Sequence, residues 1–138
     1  MNYEVHEVLD KTAKLKNKSE RVEYLKSNKS GALMDILRGS MDDRIVWLLP
    51  EGKPPYEENQ EGSVPSNFIK ECVNLAYLVK GGKGDDLLPV KREQIFIRLL
   101  ESIHPRDAEF VIDMINKKAP KNISKPIVKE AFPGLLPD

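Results

Sequence analysis

The chain has 138 residues, 40% of them hydrophobic and 32% charged, with 22 basic against 22 acidic side chains and one cysteine. That length suits a single domain with its own core, and the lone cysteine, Cys72, excludes an internal disulfide and any Cys-rich metal pattern, which fits a reducing compartment. Overall balance points to no partner, but the distribution is uneven: Lys11 to Lys29 holds seven basic and two acidic residues (+5), Asn116 to Lys129 holds five lysines and no acid (+5), and the rest carries about −10.

The opening "MNYEVHEVLDK" is charged within its first turns, and no apolar run approaches the roughly 20 residues of a membrane span. A soluble, unprocessed, cytoplasmic protein is expected. Val5, Val8, Leu9 and Thr12 recur at helical spacing and predict a first helix from about Tyr3 to Leu15. Ser19 is the expected N-cap of a second helix carrying Val22 and Leu25. Leu33, Ile36 and Leu37 mark a third, closing near Gly39.

Four prolines make the stretch from about 49 to 65 a loop, with only "RIVWLL" before it able to be extended or briefly helical. Glu57, Glu58 and Glu61 read as solvated loop carboxylates, and Trp47 as a core anchor for the loop. Ser66 is the expected cap of an apolar helix in which Phe68, Ile69, Cys72, Val73, Leu75, Ala76 and Val79 fill more than one stripe, so that helix is expected to be central. "KGGKGDDLLP" ends it, with Gly81 or Gly82 at positive φ.

Pro89 opens a helix with Ile95, Phe96, Leu99, Leu100 and Ile103 inward, and His104-Pro105 restarts the chain, with His104 as a cap or packing residue. Ala108, Val111, Ile112 and Ile115 pattern the next helix, and a last one runs from about Ser124 to Phe132. No alternating run or Asn-Gly hairpin signal occurs. The expected fold is all-α: a single compact domain, 1–138, of six or seven helices.

The basic end carries the sharpest chemical signal. Ser124 is the best N-cap there, and Pro126 is tolerated because first-turn amides lack intrahelical acceptors. An acidic residue at that positive helix end would gain about 0.3–1 kcal/mol, yet Lys121 and Lys125 stand there instead. Such a pattern makes sense if an external anion such as a phosphate lies between them. Solvated surface lysines are the alternative, as they are for Lys11, Lys14 and Lys18, which could line one helical face.

The stretch "VHEVLDKTAKLKNKSERVEYLKSNKSGALMDILRGSMD" resembles the opening of the all-helical DNA-binding domain of phage-type ATP-dependent DNA ligases, and "NISKPIVKEAFPGLLP" resembles its end. The middle and tail, in "LPEGKPPY", "VKGG", "KREQIFIRLLESIHP" and "KEAFPGLL", are similar to a family of small proteins of tailed phages of marine bacteria. The ligase resemblance implies a phosphate-binding turn at Lys121, Asn122, Ile123, Ser124 and Lys125. Lys117 and Lys118 before it, and Lys14 and Lys18 from the first helix, complete the candidate set. That turn is Gly-rich in the ligases, so Asn122 must supply any left-handed conformation here.

Catalytic chemistry is not expected. The nearest string to a ligase Lys-x-Asp-Gly motif is Lys83-Gly84-Asp85-Asp86, in which Asp86 replaces the glycine. "KGGKG" lacks P-loop order. His6 and His104 stand far apart in sequence, no carboxylate sits in a metal or acid/base signature, and no cofactor is implied. Two functions remain: a non-enzymatic protein that grips the backbone of double-stranded DNA without reading sequence, or a viral interaction module, in the host cytoplasm, for a host or replication protein.

Overall fold

The computed structural model describes residues 3–60 and 63–137. Within them lie seven α-helices: α1 (Val5–Lys14), α2 (Lys18–Ser27), α3 (Gly31–Met41), α4 (Phe68–Glu71), α5 (Pro89–Ser102), α6 (Pro105–Ile115) and α7 (Lys125–Ala131). A 3-10 helix, Cys72–Tyr77, continues from α4. No strand forms among the described residues, and the all-α expectation holds for them.

α3 is the centre of the core. Its Ala32, Leu33, Ile36 and Leu37 are buried, and it packs on α6, whose Ala108, Val111 and Met114 are fully enclosed. Each such leucine, isoleucine, valine or methionine side chain contributes about 1.5–3 kcal/mol on burial. α1 lays Val5, Val8 and Leu9 against the same core, and the buried Thr12 hydroxyl is satisfied by donating to the Val8 carbonyl at 2.7 Å. α2 rests on α1 and α7, and α5 packs on α6 and the 3-10 helix.

The Pro-rich segment is irregular but tethered. Before it, "RIVWLL" is extended: Trp47 forms an isolated antiparallel bridge with Val79, and Leu48 N–H donates to the Leu78 carbonyl at 2.8 Å. The Asn59 amide donates at 2.7 Å to the carbonyls of both Glu101 and Ile103, satisfying acceptors that the end of α5 leaves open. Asn116 exchanges hydrogen bonds with the backbone of Gly52. Glu57 and Glu58 are exposed; Glu61 lies outside the described residues.

Several sequence expectations need correction. α2 is capped by Asn17, whose side chain accepts the Glu20 N–H at 2.8 Å, and α4 by Asn67, which accepts that of Lys70 at 3.0 Å. Asparagine caps as well as serine, so it displaces Ser19 and Ser66. Gly39 does not close α3, which runs on to Met41. A Cβ there would stand 2.7 Å from both Met114 Sδ and Trp47 Cζ2, so glycine is needed for close packing.

The expected central helix is one α-turn followed by the 3-10 segment. Three residues per turn align Cys72, Leu75 and Leu78 on one inward face. Leu75 and Leu78 are buried and Cys72 is half-buried, not a full core residue, while Val73 is 70% exposed. The second apolar stripe therefore faces out. Gly81 takes the positive φ, 87°. Gly84 is buried against the Tyr77 carbonyl, where a Cβ would come within 1.8 Å.

Candidate nucleic-acid interface

The basic turn begins as α6 ends. Lys117 adopts φ 60°, its N–H bonds the Met114 carbonyl at 3.0 Å, and the Lys118 N–H reaches back to Asp113 at 2.8 Å. This is a Schellman closure with lysine where glycine is usual. The side chain offsets the strain: Lys117 Nζ donates at 2.9 Å to the carbonyl oxygens of both Gly39 and Asp42, at the end of α3. Burial pushes this ammonium below its ordinary value, against the opposing charges of Asp43 and Asp42. The Lys117 ammonium is thus tied to the end of α3, although the residue as a whole is exposed.

Pro120 and Ile123 anchor the turn. Ile123 is 2% exposed, and its N–H donates to the Pro120 carbonyl at 3.2 Å, so neither its side chain nor its amide faces a ligand. Asn122 supplies the expected left-handed residue, at φ 61°. Its side-chain amide also donates to the Ala13 carbonyl at 2.9 Å, tying the turn to the last turn of α1. Ser124 occupies the N-cap position of α7 and is exposed, but its hydroxyl makes no capping bond.

The candidate lysines therefore divide. Lys14, Lys118, Lys121 and Lys125 are exposed and form no ion pair among the described residues. The Asn122–Ala13 bond brings the segments bearing Lys14 and Lys121 together. Lys18 instead pairs with Glu130 of α7 at 3.1 Å, with both side chains more than half exposed. A pair so exposed contributes at most about 1 kcal/mol.

Beside α7, a shallow cleft of about 280 Å³ runs along the end of α3, with Asp43, Arg44, Lys125 and Lys129 on its walls. Arg44 was not among the expected residues. It forks onto Asp42, which is 1% exposed, through bonds of 3.0 and 3.1 Å, and that contact holds the Asp42 carboxyl below the usual range despite burial. Nothing in "MDDR" announces the pairing, because the lack of solvent at Asp42 depends on the whole fold. Lys129 carried no signal beyond its charge.

The string resembling a ligase nucleophile is a structural turn. Asp85 accepts the Gly81 N–H at 2.8 Å, and the Gly84 carbonyl accepts from Arg92 at 3.0 Å. His104 caps α6, its Nδ1 accepting the Arg106 N–H at 3.0 Å.

Residues 8–121 match the model of a family of unknown function (DUF6433), and the chain belongs to that family. The match runs from α1 through Lys121 and ends before α7. No curated protein matches the chain. No helix among the described residues is long and apolar enough to cross a membrane.

Proposed function

We propose that this protein binds double-stranded DNA without catalysis, gripping the phosphate backbone through Lys14, Lys118, Lys121 and Lys125 and the exposed Ser124 at the start of α7. The carrying observation is the 2.9 Å bond from Asn122 to Ala13, which joins the two lysine-rich segments of a chain with no net charge. The likeness of both ends to the DNA-binding domain of phage-type DNA ligases supports the reading, as does the structural use of Lys83 to Asp86. The phage likeness sets this binding in the cytoplasm of an infected host. Lys117, Ile123 and Lys18 fall outside the contact set, because carbonyls, the core and Glu130 engage them.

Four lysines on phosphates give a slope of log K on log[salt] of roughly −3 to −4. Fluorescence anisotropy with intact and nicked duplexes at two salt concentrations tests this. Absence of binding to either duplex at low salt removes the proposal.

A second reading, a docking module for a host or replication protein, is favoured by the surface between α3 and the 3-10 helix. There an apolar groove of about 310 Å³ is lined by Ile45, Trp47, Leu75 and Val79, with Val73 exposed at its edge. Capture of a protein partner that survives nuclease treatment, by wild type but not by Val73→Asp, supports it over DNA binding.

A further inference from the structure

Away from the basic turn, the starts of α1 and α6 meet at a polar cluster that neither reading uses. His6 Nδ1 lies 3.1 Å from Asp107 Oδ2 and 3.5 Å from Glu4 Oε2. Ligand atoms of the three side chains all fall within 4.8 Å of one another. We infer that Glu4, His6 and Asp107 form a binding site for a divalent transition cation of the zinc class.

Three observations carry this. A tetrahedral site with bonds of about 2.0–2.1 Å has donor-to-donor edges of roughly 3.3–3.4 Å, and the two separations at His6 Nδ1 straddle that length. Second, Asp107 is 1% exposed; its Oδ1 accepts the His6 N–H at 2.7 Å, but its Oδ2 and His6 Nδ1 are buried without an aligned hydrogen-bond partner. A buried carboxylate oxygen in that state calls for a positive charge, which either a protonated His6 at 3.1 Å or a cation shared by the two side chains supplies. The nearest guanidinium in sequence, Arg106, is committed to Asp10 at 2.8 and 3.1 Å and to Glu109 at 2.6 Å.

Third, two of the ligands, His6 and Asp107, are held before any cation arrives. The His6 ring stacks on His104 with centroids 4.2 Å apart and planes 17° from parallel, while His104 is fixed by its cap to Arg106 N–H. The backbone bond to Oδ1 orients Asp107. Outer contacts of this kind tune metal affinity. One imidazole nitrogen with two carboxylate oxygens suits Zn²⁺ over Mg²⁺ or Ca²⁺, which take oxygen ligands in larger sets. Glu4 is about one-third exposed, so the cluster meets solvent at that side chain.

The test is a calorimetric Zn²⁺ titration of the untagged full-length chain, with Glu4→Gln, Asp107→Asn and Cys72→Ser variants and circular dichroism to confirm folding. Wild type and Cys72→Ser are expected to bind one Zn²⁺ per chain. Glu4→Gln and Asp107→Asn should each bind at least about tenfold more weakly. Glu4→Gln changes an accessible side chain and decides the outcome if Asp107→Asn does not fold. No saturable binding to wild type, binding indifferent to Glu4→Gln, or binding lost only in Cys72→Ser overturns the inference and leaves His6 as a counter-charge to Asp107.

Discussion

Lys117 Nζ stands 2.9 Å from the carbonyl oxygen of Gly39, 78 residues earlier in the chain. The same oxygen accepts the Trp47 indole N–H at 3.0 Å, so one carbonyl of α3 joins the end of α6 and the start of the long loop. Lys117→Ala removes the ammonium bonds and leaves a Cβ residue in left-handed backbone; a loss of about 1–3 kcal/mol is expected in urea unfolding. Lys117→Gly should recover part of that, since the same bonds are lost but the strain of a Cβ at φ 60° is relieved. Neither should change the salt slope of DNA binding, because this ammonium is engaged by the carbonyls of Gly39 and Asp42.

The exposed lysines should behave in the opposite way. Lys121→Ala and Lys125→Ala are each expected to leave the unfolding midpoint nearly unchanged and to flatten the slope of log K against log[salt] by about 0.9. Lys18→Ala, which mainly breaks the pair with Glu130, should flatten it less. Equal effects at all three positions would argue against the contact set.

Asn122 links position and conformation. Asn122→Gly keeps the left-handed backbone but loses the bond to Ala13, so about 0.5–1.5 kcal/mol of destabilisation is expected, with weaker DNA binding as Lys14 and Lys121 separate. Asn122→Ala should be worse in unfolding, since the strain is added. The comparison of the two midpoints isolates the link between α1 and the turn.

Asp42 sets a pH dependence. Its folded pKa lies below the ordinary carboxylate value of 3.8, so it binds protons more weakly folded than unfolded. Its contribution is fully present above 3.8 and is lost as pH falls through the lower folded value. Asp42→Asn should lower stability near neutrality and flatten the acid limb of a stability–pH curve. An unchanged acid limb would show that Arg44 does not stabilise the buried carboxylate.

Gly39→Ala tests the junction from the core side. The new methyl would press on Met114 and Trp47, and a cost of about 1–3 kcal/mol is expected from thermal or urea unfolding. Met114 can yield more easily than the indole ring, so Met114→Ala in the same chain should relieve part of it.

The helices that bury a single apolar stripe were legible in the residues. Val5, Val8 and Leu9 place α1, Leu33, Ile36 and Leu37 place α3, and Ala108, Val111 and Ile112 place α6, since spacing alone decides which side is inward. The segment from Phe68 is not legible in the same way, because its surplus of apolar residues mimics an enclosed helix, whereas three-residue turns direct Val73 outward. The left-handed Asn122 was foreseeable from its side-chain chemistry. The direction of Lys117 was not: a lysine after a helix gives its charge, while its destination depends on α3 carbonyls contributed from far away in the chain. The same holds for Glu4, His6 and Asp107, which only the contact of α1 with α6 brings together.

Gly84 imposes a limit on evolutionary drift. Any heavier residue there must push the Tyr77 carbonyl aside, and because Arg92 grips the Gly84 carbonyl together with those of Leu48 and Leu87, the shift would travel into the start of α5 and the extended segment beside it. A larger residue at position 84 would therefore require the hinge between the 3-10 helix and α5 to be rebuilt.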